Sequence, residues 1–308
     1  MLRSEQGVVL LRWPGMEILR YTAFSTDPNG GNPAGVVLDA RGLDETVMLA
    51  VAADLGYSET AFVAERHEDG RGFDVRYFSP RAEVPFCGHA TVAAAVALAD
   101  HLTGPGDLLF RTRAGDVPVA VAPGRADDPA GAGAMTATLT SVDPHVDALA
   151  DSPEQVGAEL AEVLRLLDWK RDDLDPALPP RIAYAGARHL VLAVRTRERL
   201  AALSYDFDGL AAYMTQRDLT TLQLVWREDT HTFHVRDPFP VGGVVEDPAT
   251  GAAAAAFGAY LRELGEVVPP AVLTLHQGAD LGRPGLLRVE LRVGDRRVRV
   301  TGAAVPMA

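Results

Sequence analysis

Two alanine-rich runs decide the fold: TVAAAVALADHL at residues 91–102 and TGAAAAAFGAYLREL at residues 250–264. Each run is long enough for about three or four helical turns and carries mostly small apolar side chains. A helix that is apolar all round must be enclosed by other elements, so each run predicts a helix at the centre of its own core. Strand-like patterns precede and follow both runs, which indicates a mixed α and β protein.

The second half of the chain repeats the order of the first. A shift of about 160 residues sets Val75-Arg76 on Val235-Arg236 and Pro80 on Pro240. Each half reads as strand, proline-containing loop and buried alanine helix, which indicates an internal duplication. Two similar halves predict a cleft between them, where ligands commonly bind.

The domain boundaries follow from this repeat. Strand-like alternation begins at Met16, so residues 1–15 are predicted to be a poorly ordered N-terminal extension. The N-terminal lobe is predicted over residues 16–145 and the C-terminal lobe over residues 146–308, whose final strand could return to the first lobe.

Composition excludes several classes of function. With 29 Lys+Arg against 42 Asp+Glu, the net charge is −13, which argues against a nucleic-acid partner. No apolar stretch approaches the ~18 residues of a membrane span. Cys87 is the only cysteine, which excludes an intrachain disulfide and a multi-cysteine zinc site and fits a reducing cytoplasm. The only lysine, Lys170, lies in a polar run, and no Gly-Lys-Ser/Thr step occurs, so Schiff-base and P-loop chemistry are not expected.

Two polar segments come directly before the alanine helices. They are CGHAT at residues 87–91 and EDPATGA at residues 246–252. A helix N-terminus offers free backbone N–H groups and a partial positive charge, which together favour an anion. The small residues there let a ligand reach the backbone, and the sequence predicts a carboxylate-binding role for Gly88, Ala90, Gly251 and Ala252.

The short motifs of the chain, taken in order, resemble those of one known family. They are YTAF (21–24), GNPAGVV (31–37), SETAF (58–62), RYFSP (76–80), CGHAT (87–91), EDPATG (246–251), QG (277–278) and GRP (282–284). Together, from about Met16 to the C-terminus, they resemble the phenazine-biosynthesis isomerase family, PhzF-like.

The resemblance implies an α+β fold with two lobes of diaminopimelate epimerase-like architecture. Each lobe would be a β-barrel-like sheet around a central alanine-rich helix, with the active site in the cleft between the lobes. It also implies a cytoplasmic, cofactor-independent isomerase, usually a homodimer, that moves a proton on a small carboxylate such as trans-2,3-dihydro-3-hydroxyanthranilate. No metal, nucleic acid or membrane partner is expected.

The resemblance also assigns residue roles. Glu59 matches the family's catalytic acid/base, and His89 and Asp247 match its accompanying polar residues. Gly88 and Gly251 match backbone positions that contact the substrate. Ala252 departs from the pattern, because members often carry serine there, which leaves the exact substrate open.

Each site residue also has a structural interpretation. A glutamate at a strand start such as Glu59 is usually solvated, His89 at a helix start is more often structural, and Asp247 could simply be an N-cap. Arg76 and Arg236 alternate with apolar strand residues, and surface placement is favoured for both over a buried ion pair or a substrate contact.

Three other functions compete with the isomerase. The first is an amino-acid racemase or epimerase, which in this fold uses a cysteine at each of the two helix N-termini. Cys87 occupies the first place, but Ala249 is predicted at the second, which argues against it. The others are a non-catalytic protein that binds small carboxylates and, more remotely, a metal hydrolase, since His89 and Asp247 lack ligand spacing.

Overall fold

The computed structural model describes residues 2–3, 9–13, 16–125 and 130–307. The chain divides into two compact units. The first unit runs up to Thr140 and resumes at Thr301, and the second comprises Ser141–Val300. Each unit has its own buried helix.

The helices and strands of the described residues are numbered here in chain order. The helices are α1 (Glu45–Leu55), α2 (Gly88–Leu98), α3 (Pro153–Leu166), α4 (Arg197–Ala201), α5 (Phe207–Gln216) and α6 (Gly251–Glu263). The strands of the first unit are β1 (Leu2–Arg3), β2 (Val9–Trp13), β3 (Met16–Ala23), β4 (Asn32–Val37), β5 (Glu59–Arg66), β6 (Gly72–Phe78), β7 (Glu83–Val84), β8 (Gly106–Thr112), β9 (Gly115–Pro123) and β10 (Met135–Thr140). The others are β11 (His145–Ala148), β12 (Arg181–Tyr184), β13 (Arg188–Val194), β14 (Thr221–Arg227), β15 (Thr232–Pro238), β16 (Glu246–Asp247), β17 (Ala271–Gln277), β18 (Gly285–Arg292) and β19 (Asp295–Pro306).

The sheet of the first unit closes into a barrel. Its strands pair in the order β3, β4, β5, β6, β8, β9, β10 and β19, and β19 pairs back onto β3. Of these pairs, β4–β5 and β6–β8 are parallel. The pairs β3–β4, β5–β6, β8–β9, β9–β10 and β19–β3 are antiparallel. Helix α2 packs against β3, β4, β5, β9 and β10, and every residue from His89 to Leu98 is buried. The predicted barrel around a central alanine-rich helix is therefore confirmed.

The second unit repeats this design. Its strands pair in the order β11, β12, β13, β14, β15, β17 and β18, with β13–β14 and β15–β17 parallel. From Ala253 to Leu261 helix α6 is buried, and it packs against β11, β12, β13, β14 and β18. Helices α3 and α5 belong to a separate cluster that includes Leu164 and Met214. Among the described helices, none has the length and apolar character that a membrane crossing requires.

The order of pairings reveals how closely the units correspond. From β3 to β9, leaving out β7, the pairings run antiparallel, parallel, antiparallel, parallel and antiparallel, and from β12 to β18, leaving out β16, they run the same way. Strand β6 starts at residue 72 and β15 at residue 232, whereas the central helices start at residues 88 and 251. The connection before the helix is therefore longer in the second unit.

This longer connection corrects one sequence-based correspondence. Cys87 is the N-cap of α2, and Thr250 is the N-cap of α6. The residue equivalent to Cys87 is thus Thr250 and not Ala249, because Cys87 and Thr250 each directly precede the first residue of their helix. Neither Thr250 nor Ala249 carries a thiol, so the argument against a two-cysteine racemase still holds.

The predicted N-terminal extension is a further difference. Val9–Trp13 forms β2 and pairs antiparallel with β3, joining Leu11 to Ile18 and Trp13 to Met16. The described part of residues 1–15 is therefore strand and not an unstructured segment, and the remainder lies outside the described residues. The sequence did not predict this strand, because its apolar run lacks the alternation of a half-buried strand.

Candidate active site

The site of the first unit forms where β5 begins and α2 begins. Glu59 is the first residue of β5, and Cys87 is the N-cap of α2 in an extended conformation. The Cys87 thiol lies 3.4 Å from Glu59 Oε2, a distance at which the S–H can donate to the carboxylate. Nε2 of His89 lies 3.5 Å from the same Oε2 and 3.2 Å from Ser58 Oγ. Glu59 and His89, predicted separately, are thus in contact.

These groups are largely withdrawn from solvent. The side chain of His89 is 5% exposed and that of Glu59 is 13% exposed. A carboxylate, a thiol and an imidazole in such a place can exchange protons with one another and with a ligand. The solvated interpretation of Glu59 is therefore wrong.

Hydrogen bonds below the site hold the first turn of α2 in place. Thr91 Oγ1 donates to the carbonyl oxygen of Cys87 at 2.7 Å, and the Tyr77 hydroxyl lies 2.6 Å from Thr91 Oγ1. Burial raises the pKa of Tyr77, so its phenol stays protonated. No side-chain cap bond from Cys87 occupies the backbone N–H groups of the first turn.

The residues predicted for backbone contact lie in the first turns of the two central helices. Gly88 and Gly251 are the first residues of α2 and α6. Ala90 is fully buried and Ala252 is half-buried.

A polar network surrounds the start of α6 in the second unit. The Thr250 hydroxyl donates to Asp247 Oδ2 at 2.6 Å, and Thr250 N donates to Gln277 Oε1 at 3.0 Å. The Gln277 amide nitrogen donates to the carbonyl oxygen of Asp247 at 2.8 Å. The N-cap of α6 is Thr250, so the N-cap interpretation of Asp247 is wrong.

A glycine next to Gln277 keeps this network compact. Gly278 has a φ of +78°, and a Cβ added there would lie 2.3 Å from the carbonyl oxygen of Arg283 and 2.7 Å from that of Pro248. Only glycine fits such a position without moving backbone. The glycine of the Gln277-Gly278 motif is thus required by the local backbone geometry.

Asp237 is a site residue that the sequence analysis missed. It faces Asp247 across the β15–β16 pair and is fully buried. With the Gln223 amide turned so that its nitrogen faces Asp237, the orientation that satisfies both groups, this nitrogen lies 2.7 and 3.1 Å from the two carboxylate oxygens. Burial raises the pKa of Asp237 well above its usual range; hydrogen bonds from Thr250 and Gln277 oppose the rise, and the negative charge of Asp247 adds to it. The available signal was an aspartate within a strand, directly before Pro238.

Arg76 and Arg236 are ion-paired rather than free on the surface. Arg236 Nη2 lies 2.5 Å from Glu246 Oε2, and Arg76 Nη2 lies 2.6 Å from Glu83 Oε2. In both units the arginine lies on the strand before the central helix and the glutamate on the short strand that pairs with it. The surface placement favoured from the sequence is therefore wrong for Arg236, whose side chain is 10% exposed.

One group in the described residues has the donor atoms of a metal site. Glu59, Cys87 and His89 each offer one ligand atom, and these atoms lie within 4.8 Å of one another. Two of the ligands come from the start of α2, two residues apart, and the third from β5. The short spacing Cys87-x-His89 was visible in the sequence, but its partner Glu59 is distant along the chain.

The amino-acid sequence is similar to those of known proteins. A family model described as "Phenazine biosynthesis-like protein" matches residues 21–308. An uncharacterized isomerase of Deinococcus radiodurans is 35% identical, over 92% of this chain and 90% of its own length. The trans-2,3-dihydro-3-hydroxyanthranilate isomerase of Pseudomonas chlororaphis is 30% identical, over 92% of this chain and 94% of its own.

The fold is similar to those of several solved structures. A phenazine biosynthesis protein of the PhzF family from Bacillus anthracis is 25% identical with a TM-score of 0.80, over 95% of this chain and 97% of its own. A hydroxyproline epimerase from Agrobacterium vitis is 13% identical with a TM-score of 0.62, over 97% of this chain and 92% of its own. The second likeness concerns the fold alone, and it confirms the predicted epimerase-like architecture.

Proposed function

The chain belongs to the phenazine biosynthesis-like family of isomerases, and from that premise we propose that it shifts a proton on a small carboxylated substrate with Glu59 as general acid and base. The observation that carries the proposal is the contact of Glu59 with Cys87 and His89 at the start of a buried helix. A carboxylate in such surroundings has few water molecules to compete with a substrate for its proton.

The reaction needs only one group that accepts and returns a proton. The Glu59 carboxylate takes a proton from one substrate carbon, and the electron pair of that C–H bond moves into the neighbouring bonds and shifts a double bond. The resulting carboxylic acid delivers the same proton to a second carbon. Atoms and charge balance without an oxidant, a reductant or a cofactor, and the proposal includes none.

The neighbours of Glu59 support both halves of this cycle. Nε2 of His89 contacts both Ser58 Oγ and Glu59 Oε2, so a neutral ring that carries its proton on Nε2 can donate to the Glu59 carboxylate. The Cys87 thiol can donate to the Glu59 carboxylate when that group is ionised. These contacts fix the orientation of the carboxylate and make His89 a group that orients substrate.

The substrate carboxylate is assigned to backbone N–H groups. The first turn of α2, with Gly88 and Ala90, has no side-chain cap, and the same is true of α6, with Gly251 and Ala252. Uncapped N–H groups at a helix start bind anions. Asp247 is proposed as a substrate-orienting residue on the family pattern, and the lack of a hydroxyl at Ala252 removes one possible contact.

The proposed substrate class is that of the P. chlororaphis relative, trans-2,3-dihydro-3-hydroxyanthranilate and similar small carboxylates. A homodimer in the cytoplasm is proposed with it, on the family resemblance and on the single cysteine. Sedimentation analysis at several protein concentrations tests the dimer separately from the reaction.

The decisive experiment follows the purified protein with this substrate in deuterated water by NMR. The expected result is a shifted double bond, with deuterium entering the new C–H position to the extent that the Glu59 proton exchanges with solvent. Glu59→Gln is expected to abolish the shift, because an amide cannot take up and return a proton. Exchange at the α-carbon of free amino acids would instead indicate a racemase, and binding without any turnover would indicate a carboxylate-binding protein.

A further inference from the structure

The geometry points to a binding site for a thiophilic divalent cation, Zn²⁺ above all, formed by Glu59 Oε2, Cys87 Sγ and His89 Nε2. These are the three kinds of ligand atom that zinc prefers in proteins: a thiolate, an imidazole nitrogen and a carboxylate oxygen. Three protein ligands with one open position are also the arrangement of exchangeable and catalytic zinc sites, as opposed to closed structural ones.

The distances between the three ligand atoms fit a single tetrahedral ion. Bond lengths of about 2.3 Å to sulfur and about 2.0–2.2 Å to nitrogen and oxygen place tetrahedral ligand atoms roughly 3.4–3.6 Å apart. The observed separations are 3.4 Å from Sγ to Oε2, 3.5 Å from Nε2 to Oε2 and 3.9 Å from Sγ to Nε2. Sγ lies nearer to Nδ1 of His89, at 3.3 Å, than to Nε2, so binding of one ion by both Sγ and Nε2 requires the imidazole ring to turn about its side-chain bonds.

The charges of the ligands suit a divalent ion in a buried place. When zinc binds, the Cys87 thiol loses its proton, so the thiolate and the Glu59 carboxylate together neutralise the ion. A neutral cluster costs less to bury than a lone cation. The partial positive charge at the start of α2 opposes a cation, but it amounts to only about half an elementary charge, against two full negative ones.

The fourth position is open to water or to the hydroxyl of Ser58, which lies 3.2 Å from His89 Nε2. An ion held there ties up the Glu59 oxygen that faces Cys87 and His89. Zinc would therefore inhibit the isomerase reaction reversibly. This consequence rests on the proposed function, whereas the binding of the ion does not.

Equilibrium dialysis against zinc chloride, followed by elemental analysis of the protein, tests the binding directly. We expect one ion per chain in the wild type and an affinity at least about tenfold weaker in Cys87→Ser, His89→Gln and Glu59→Gln. Thermal unfolding of each variant without metal shows that the comparison is made between folded proteins. The matched control is His234→Gln, which removes an imidazole outside this site that could also bind zinc, since His234 stacks on His276 at 4.9 Å and contacts Glu228.

Cobalt provides a readout that identifies the ligands. Co²⁺ bound at this site should show a thiolate-to-metal charge-transfer band and the intense visible bands of a four-coordinate ion, and Cys87→Ser should lose the charge-transfer band. Any of four results would overturn the proposal. Zinc could bind equally well to the wild type and to Cys87→Ser, or the cobalt spectrum could lack the thiolate band. Binding could be lost only in His234→Gln, or no zinc could bind at all. Zinc bound as expected, with substrate turnover unaffected, would preserve the site and count against Glu59 as the acid/base.

Discussion

Arg236 and Glu246 form an ion pair that is buried on both sides. The Glu246 side chain is fully buried and that of Arg236 is 10% exposed, and Arg236 donates to Glu246 from Nε and from Nη2. The equivalent pair of the first unit, Arg76 and Glu83, is more open, with Arg76 28% exposed. Glu83 also has a second partner, Arg113, at 2.9 Å.

The two pairs are therefore expected to respond differently to loss of the arginine. Arg236→Ala should lower the free energy of unfolding by about 3–5 kcal/mol, because it leaves the Glu246 charge buried without its partner. Arg76→Ala should cost less than half as much, because Glu83 keeps Arg113. Urea unfolding of both variants measures the difference. Equal losses would contradict the role assigned to burial, and Arg236→Ala/Glu246→Gln should recover part of the larger loss.

The second prediction concerns the raised pKa of Asp237. The folded chain keeps a proton on this carboxyl at pH values where the unfolded chain has released it. The contribution of Asp237 to stability is thus full below the ordinary carboxyl pKa and is lost as pH rises towards the raised value. Asp237→Asn cannot lose a proton there, so its unfolding free energy relative to that of the wild type should be higher at about pH 8 than at about pH 5.

The measurement is the urea midpoint and slope of both proteins at the two pH values. The control is Asp107→Asn, which changes an exposed aspartate on β8 and should not alter the pH dependence. A stability difference between Asp237→Asn and the wild type that stays constant with pH would show that Asp237 is ionised in the folded chain.

The third prediction compares two glutamates of the same strand. Glu59→Gln should reduce turnover by about 10²- to 10⁴-fold, the usual contribution of a general acid or base. Glu65→Gln, which changes an exposed residue of β5, should leave turnover unchanged. Steady-state rates with the proposed substrate, together with melting curves of both variants, make the comparison. Equal rates for the two variants would remove Glu59 from the mechanism.

The fourth prediction concerns the single thiol. Cys87→Ala removes one hydrogen bond to Glu59 and is expected to keep isomerase activity within about tenfold of the wild type, since one such bond contributes about 1 kcal/mol. The wild type should not exchange the α-proton of either enantiomer of free amino acids in deuterated water, because the residue equivalent to Cys87 is Thr250. Amino-acid exchange that disappears in Cys87→Ala but persists in Glu59→Gln would make the thiol the base.

The central helices were predictable because their sequence leaves little choice. An alanine-rich run such as residues 91–102 can only be a buried helix, although α2 itself begins before the run, at Gly88, and α6 begins one residue after the start of its run, at Gly251. The end of α1 has a similarly local cause, since its C-cap Gly56 has a φ of +67°, which favours glycine. These features depend on local sequence.

The partners of the site residues were not predictable in the same way. That Glu59 touches Cys87 and His89 depends on the pairing of β4 with β5 and on the packing of α2 against β5, which no local pattern specifies. Asp237 was missed because an aspartate on a strand is usually exposed, and only its neighbours Gln223 and Thr250 make its burial tolerable.

The end of the chain completes the barrel that the beginning of the chain starts. Residues Ala304 to Pro306 of β19 pair with Tyr21 to Ala23 of β3, and the backbone N–H of Phe24 donates to Ala303. During synthesis, therefore, the first unit leaves the ribosome before the strand that completes its barrel has been made. Its barrel has a gap between β3 and β10 until the whole second unit has been translated. A nascent chain stalled anywhere before residue 301 would expose two unpaired strand edges, which are the sites where chaperones and aggregation compete.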